Sequence, residues 1–304
     1  RSTFMIIGEA REQVIENIRK AVGTGRFHVK VEEGDPVLTR KQKEALLENY
    51  LEKRESFCFW LNSWRARHMA GIVTRSINRS TKIAGLENMG GITGGAIVTS
   101  NHFSPLDNTV VRDLVWKLGK KRLCIVSQET NLAMTGWIGY LMNYADTIPI
   151  SSVPSYMAGK FELLLSEALA GNEYVLIYPE QEMWFNYRKP RPAKRGAYYY
   201  AAKFKAPVIS CFVEMNALDE LDTSEFYKVE YVMHVLPTIY PDPAKSVREN
   251  SIIMCEKDYE QKKAAYESAY GKPLDYKFES SDIAGWIPVQ TIPDKLSIDF
   301  ERLV

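Results

Sequence analysis

The chain has 304 residues, 45% hydrophobic and 25% charged, with a formal net charge of +1 at pH 7. Such proportions belong to a globular protein of one large or two modest domains and exclude a disordered or fibrous chain. The near-neutral balance argues against nucleic acid as a partner, and no apolar run reaches the roughly eighteen residues that a membrane-spanning helix needs.

The N-terminus lacks the charged-then-apolar pattern of a signal peptide, so the chain reads as neither spanning nor secreted. Arg1 to Phe4 reads as a remnant ahead of Met5. Glu9 to Ala21 has helical periodicity through Val14, Ile15 and Ile18, and Gly34-Asp35-Pro36 is a break before a charged helix from Thr39 to Arg54. Phe57 to Arg79 predicts a third helix of different character. Phe57, Trp60, Leu61, Trp64 and Ile72 follow helical spacing, whereas the charges, among them Arg65 and Arg67, are all positive. A basic, aromatic helix of this kind lies in a membrane interface. Packing of the aromatic side on the protein's own core fits equally, because periodicity does not say what the apolar face touches.

The glycines between Ile83 and Thr99 match no phosphate-binding loop and read as turns before a strand at Ala96 to Thr99. That strand ends in a polar turn carrying Asn101 and His102, and Ser104-Pro105 is a helix-start signal. Asp107, in the first turn of that helix, would face back to His102 with the helix dipole favouring its charge. A carboxylate on one ring nitrogen fixes the tautomer and leaves the other nitrogen to take a proton. This is the logic of the Ser-His-Asp triad without its serine, so the nucleophile would be a hydroxyl of the substrate. By itself such a pair is a weak signal, since most histidines are structural.

Beyond it, strands at Leu123–Ser127, Thr147–Ile150 and Tyr174–Tyr178 alternate with helices at Thr109–Leu118, Leu132–Tyr144 and Tyr156–Leu169. The pattern predicts an α/β fold, a mostly parallel sheet flanked by helices, with sites at the carboxyl ends of strands. The stretch after Tyr178 should therefore share a sheet edge with His102. It holds Arg188, Lys189, Arg191, Lys194 and Arg195 and no acid between Glu182 and Glu214. Such density suits a phosphate or an acidic membrane surface, and a solvated basic loop is the plainer alternative. A helix from Gly196 to Lys205, strands at Pro207–Val213 and Tyr227–Leu236, a helix near Lys245–Tyr270 and an extended tail from Gly271, through Trp286 and Ile292-Pro293, complete the chain. Cys58, Cys124, Cys211 and Cys255 are too dispersed for a metal site and read as buried thiols.

Together these residues carry a resemblance. Asn101-His102 with Asp107, then Tyr178-Pro179-Glu180, then Lys194-Arg195-Gly196-Ala197, then Ala206-Pro207-Val208-Ile209 are similar, in order and spacing, to the four motifs of the glycerophospholipid acyltransferases, the lysophosphatidate acyltransferase-like family. The resemblance covers about 82–215. It implies an α/β acyltransferase domain over 86–240, behind an N-terminal extension (1–40) and amphipathic membrane-interface helices (41–85) and ahead of a C-terminal helix and tail (241–304). It implies no metal or other cofactor, an acyl thioester on coenzyme A or acyl carrier protein as donor, membrane lipids as partners, and a peripheral place on the cytoplasmic face of the membrane. His102 would be the general base and Asp107 its partner. Asn101, Ser104, Glu180, Arg188, Lys189, Arg191, Lys194 and Arg195 would contact substrate, and Phe57, Trp60, Trp64, Arg65 and Arg67 would meet the membrane.

Two departures bear on the acceptor. The second motif's arginine is absent at Thr147-Ile148-Pro149-Ile150-Ser151-Ser152, and Gln181 and Met183 replace the glycine and arginine of the third. Either Arg188, Lys189 and Arg191 take over the acceptor's phosphate, or the acceptor is a glycolipid or other non-phosphate lipid. A hydrolase and a non-catalytic membrane-surface module are the rival classes; no Gly-x-Ser-x-Gly elbow supports the former.

Overall fold

Short apolar runs separated by helix-forming stretches give strands buried on both faces, because the intervening helices cover the sheet from either side. The computed structural model, which describes residues 11–32, 38–120 and 122–288, bears this out. Its seven strands are β1 (Lys82–Ala84), β2 (Ala96–Thr99), β3 (Leu123–Gln128), β4 (Thr147–Ile150), β5 (Tyr174–Leu176), β6 (Val208–Leu221) and β7 (Tyr227–Val235). They lie in the order β1-β7-β6-β2-β5-β3-β4. The β6–β7 hairpin is antiparallel and every other described pairing is parallel. The sheet begins at Lys82, where only glycine turns were expected, and β6 continues well past Val213 into its hairpin.

Period-two alternation divides the core. Ala96 and Val98 of β2 face a cluster with Val110, Val111 and Leu114 of α4 (Asn108–Lys117). Ile97 faces the opposite side, with Leu165 of α7 (Glu162–Ala170), Ala201 of α8 (Gly196–Lys203) and Met254 of α9 (Val247–Tyr270). On that side the fully buried Asp258 of α9 pairs with Lys262 at 2.7 Å and accepts the hydroxyls of Tyr198 and Thr99. Thr99 is the last residue of β2, so this network anchors the strand end from which the His102 turn departs.

Three helices precede the sheet: α1 (Arg11–Gly23), α2 (Arg40–Arg54) and α3 (Phe57–Ile77). Ser56 caps α3, accepting from Phe59 N at 3.1 Å. The side of α3 turned inward is built from small residues, Ser63, Ala66, Ala70, Gly71 and Thr74. Gly71 is needed there, since a Cβ would stand 2.8 Å from the Trp116 ring of α4. The large residues point out: Phe57 is 73% exposed, Trp60 57%, Trp64 50% and Ile72 71%. The aromatic stripe is therefore not the core-facing side.

The expected helix over Leu132–Tyr144 is interrupted. A 3-10 turn (Glu129–Ala133) ends at Met134, and α5 (Gly136–Tyr144) restarts at Gly136, whose φ of 68° a glycine adopts readily. Ahead of α7, α6 (Pro154–Tyr156) passes through a π-helical turn (Met157–Phe161). Three of the four cysteines are buried as expected, whereas Cys58, on the outer side of α3, is exposed. Arg1 to Phe4, Gly34-Asp35-Pro36 and Ile292-Pro293 lie outside the described residues.

Candidate active site

Because β2 and β5 are neighbours, paired Val98 to Leu176, the turns that leave their carboxyl ends meet. His102 leaves one and Tyr178 the other. The Nδ1–H of His102 donates to Asp107 Oδ2 at 2.7 Å, and the same oxygen accepts from Phe103 N at 2.8 Å and Ser104 N at 3.1 Å. The Tyr178 hydroxyl donates to Asp107 Oδ1 at 2.5 Å, and its ring stacks on the imidazole with centroids 3.9 Å apart and planes 11° from parallel. Both carboxylate oxygens are thus occupied, and the Tyr178 ring covers one face of the imidazole. Burial, with Asp107 alongside, raises the Tyr178 pKa well above the ordinary phenol value, so the hydroxyl remains a donor. Nε2 of His102 has no hydrogen-bond partner among the described residues and is the nitrogen left for proton transfer.

The local fold differs from expectation in one respect. Ser104 accepts from Leu106 N at 3.3 Å and closes a tight turn, and α4 starts only at Asn108, with Asp107 at the position just before it. The carboxylate reaches back across that turn.

The backbone of His102 is held from the second turn. Its N–H donates to Glu180 Oε2 at 3.2 Å and its carbonyl accepts from Trp184 N at 3.0 Å. Asn101, 1% exposed, exchanges two hydrogen bonds with the Val213 backbone, at 3.0 and 2.8 Å, and extends the β2–β6 pairing by side chain.

His102 and Asp107 line an open cavity of about 700 Å³. One wall is apolar: Ala70 and Val73 of α3, with Ile138, Leu141 and Met142 of α5. Another is polar, with Lys43, Ser151, Ser152, Glu182 and Lys194. Gly196 and Ala197, at the N-terminus of α8, complete that rim, where free backbone N–H groups favour an anion.

This arrangement, a histidine–carboxylate pair with one free ring nitrogen and no serine or cysteine nucleophile bonded to it, is equipped to deprotonate an incoming hydroxyl. Residues 75–214, which hold the pair and both turns, match the family model Acyltransferase. The chain carries an acyltransferase-family domain. Among solved structures it is similar to the 1-acyl-sn-glycerophosphate (LPA) acyltransferase PlsC from Thermotoga maritima, at 15% identity over 78% of this chain and 100% of that one, with a TM-score of 0.46. No curated protein matches the chain.

Within the acyltransferase domain several expected substrate contacts are structural. Arg191, 2% exposed, ion-pairs with Glu180 at 2.9 Å, donates to the carbonyls of Phe27 and Glu182, and lies over the Trp184 ring at 4.5 Å. Lys189, also 2% exposed, pairs with Asp282 at 2.9 Å and donates to Lys277 O at 2.7 Å. Arg188 donates to Met215 O and Ser281 O, at 3.1 and 2.9 Å. The basic loop lies beneath α1 and the tail, where Val14, Ile15 and Ile18 pack with Trp184, Tyr187 and Ile283. Arg188, Lys189 and Arg191 therefore satisfy acids and carbonyls of the chain itself, not a ligand's phosphate. Glu180, 3% exposed, is the clamp on His102 and Arg191 and not a wall of the cavity. Asn101 and Ser104 shape the turn that carries His102, and neither lines the cavity. Of the basic loop only Lys194 does; Arg195 is exposed beside it. On the outer helix Arg65 is exposed as expected, but Arg67 folds inward, donating to Ser63 O at 3.1 Å with its guanidinium 3.8 Å from Asp146.

Gln181 has φ of 69°, in the left-handed region, which explains why the family motif carries glycine at this place. Sequence reasoning missed the Tyr178–Asp107 bond. It also missed Lys43 of α2, which reaches Ser152 at 3.2 Å in the turn where the second motif's arginine is absent, while pairing with Glu129 at 2.8 Å. Arg112 was passed over too, although a cation set in the apolar run Val110, Val111, Leu114 and Val115, with Asp113 beside it engaged by Lys117 at 2.8 Å, is itself a signal.

Proposed function

We propose that this acyltransferase moves a fatty acyl group from a thioester, on coenzyme A or acyl carrier protein, to a hydroxyl of a lysophospholipid or related lipid. Nε2 of His102 takes the proton as the acceptor oxygen attacks the thioester carbonyl. Collapse of the tetrahedral oxyanion breaks the carbon–sulfur bond, and the departing thiolate takes the proton back from the imidazolium. Asp107 orients the ring and stabilises its charged form. Lys194 and the N-terminus of α8 are suited to an anionic group of donor or acceptor, and the apolar wall between α3 and α5 to an acyl chain. The observation that carries the reading is the His102–Asp107–Tyr178 cluster opening on a half-apolar cavity.

The outward aromatic stripe of α3, with exposed Arg65, Arg75 and Arg79, supports a seat on the acidic cytoplasmic face of a membrane, with the cavity next to the bilayer. No helix of the described residues is long and apolar enough to cross a membrane. The test is mass spectrometry of products from a panel of lysophospholipids and glycolipids offered with acyl-CoA or acyl carrier protein donors. A new ester that disappears in His102→Ala is expected. Absence of any acylated product, or an ester yield unchanged in that variant, refutes the assignment.

A further inference from the structure

One buried charged side chain in the cavity wall has no ion pair among the described residues. Arg112 of α4 is 3% exposed and lines the same cavity as His102. Its Nε is buried with no hydrogen-bond partner among the described residues, and the ion pairs of the neighbouring acids go to other arginines. The surroundings do not neutralise it. Asp146, the acid with the largest electrostatic influence on it, already takes Arg122 at 2.8 Å and Arg67 at 3.8 Å, and Arg122 also reaches Glu173 at 3.8 Å. Three guanidiniums thus face two carboxylates, and Arg112 is the one outside every pair. Burial pulls its pKa down, as expected of a cation whose lost hydration is not replaced. Its place follows from the helix. Arg112 lies five residues beyond Asp107, about 7.5 Å along the axis, and side chains on a helix lean back toward its N-terminus, here the end that holds the catalytic pair. In keeping with this, Arg112 acts electrostatically on Tyr178, the residue bonded to Asp107.

We propose that Arg112 is a substrate-contacting residue of the cavity, whose guanidinium binds a negatively charged oxygen of the reactants, either the acceptor's phosphate or the oxyanion that forms on the thioester carbonyl. This rests on the acyl-transfer reading above. It also supplies the cation that Ser151 and Met183 do not.

The test uses the full chain and Arg112→Gln and Arg112→Lys variants. Calorimetric titration with sn-glycerol 3-phosphate and inorganic phosphate, with glycerol as the neutral control, is run beside steady-state acyl transfer. If the oxygen is the acceptor's phosphate, Arg112→Gln weakens phosphate binding and raises the acceptor's KM by about 10-fold or more, as loss of a charge-assisted contact does. If it is the oxyanion, phosphate binding and KM hold while kcat falls by about 10²-fold or more. Arg112→Lys keeps the charge without the fork and should fall between wild type and Arg112→Gln; should the glutamine variant not fold, the lysine variant alone must show the loss. Binding and turnover both unchanged overturn the proposal and leave Arg112 linked to Asp146 through water. Phosphate binding that depends on Arg112 without acyl transfer would refute the enzymatic reading and leave the anion site standing; transfer indifferent to Arg112 would do the reverse.

Discussion

Replacing Asp107 by Asn separates the charge of the His102–Asp107 pair from its shape. The amide is isosteric, and one orientation keeps the turn intact. Its carbonyl oxygen takes the three N–H donors of His102, Phe103 and Ser104, and its NH₂ meets the Tyr178 hydroxyl, which rotates to accept. The opposite orientation would set NH₂ against three N–H groups. Backbone and tautomer survive, and the negative charge is what disappears. Each bond to a charged acceptor is worth about 1 kcal/mol more than its neutral equivalent, so the fold should lose roughly 2–3 kcal/mol, or about 3–5 °C in Tm for a chain of this size. The chemical step should suffer more, because the imidazolium formed in the transition state loses its counter-charge. A fall of about 10²–10⁴ in kcat is expected, equivalent to roughly 3–5 kcal/mol. Thiol release from the acyl donor, followed with a thiol reagent, measures kcat, and a melting curve on the same sample gives Tm. Activity within a few-fold of wild type in a folded Asp107→Asn protein would refute the pairing as the source of catalysis. The raised Tyr178 pKa adds a corollary: the hydroxyl stays protonated across the working range, so Tyr178→Phe should remove no alkaline limb from the pH–rate profile.

Arg191→Ala should destabilise the chain by about 3–5 kcal/mol, because it leaves Glu180 buried and unpaired, with little change in acceptor KM in the protein that remains folded; an intact Tm with a raised KM would return Arg191 to ligand binding. Trp60→Ala with Trp64→Ala should reduce co-sedimentation with anionic liposomes, and added salt should weaken wild-type binding, since each interfacial cation contributes about 1 kcal/mol near such a surface; equal binding to neutral and anionic vesicles would contradict the electrostatic part. Native alkylation with iodoacetamide at pH 8 should label Cys58 alone, because it is exposed whereas burial pushes Cys124 and Cys211 up to about 12 and leaves them almost wholly as thiols; peptide mapping that finds Cys124 or Cys211 modified in folded protein would count against the described core.

What local spacing could specify, the sequence determined. Apolar runs alternating with helical stretches determined a mostly parallel sheet, and a strand, a polar turn and an aspartate five residues after His102 brought imidazole and carboxylate together, because both groups lie within one continuous turn. The meeting of His102 with Tyr178 was foreseen as a shared edge, but the Tyr178–Asp107 bond depends on β5 lying directly beside β2, a matter of strand order. The basic loop shows the limit most plainly. In sequence Lys189 and Arg191 stand in a stretch without acids; in the fold Asp282 comes from the tail to Lys189 and Glu180 turns inward to Arg191, so their charges are consumed internally. On α3, periodicity revealed two faces and could not say which was covered. Packing decided it, because the side with Ser63, Ala66, Ala70, Gly71 and Thr74 is small enough to let α3 approach α4 and α5, and the tryptophans were left outside. The same contact between elements distant in sequence encloses Arg112 in the cavity wall, where the physics of a buried charge makes it informative.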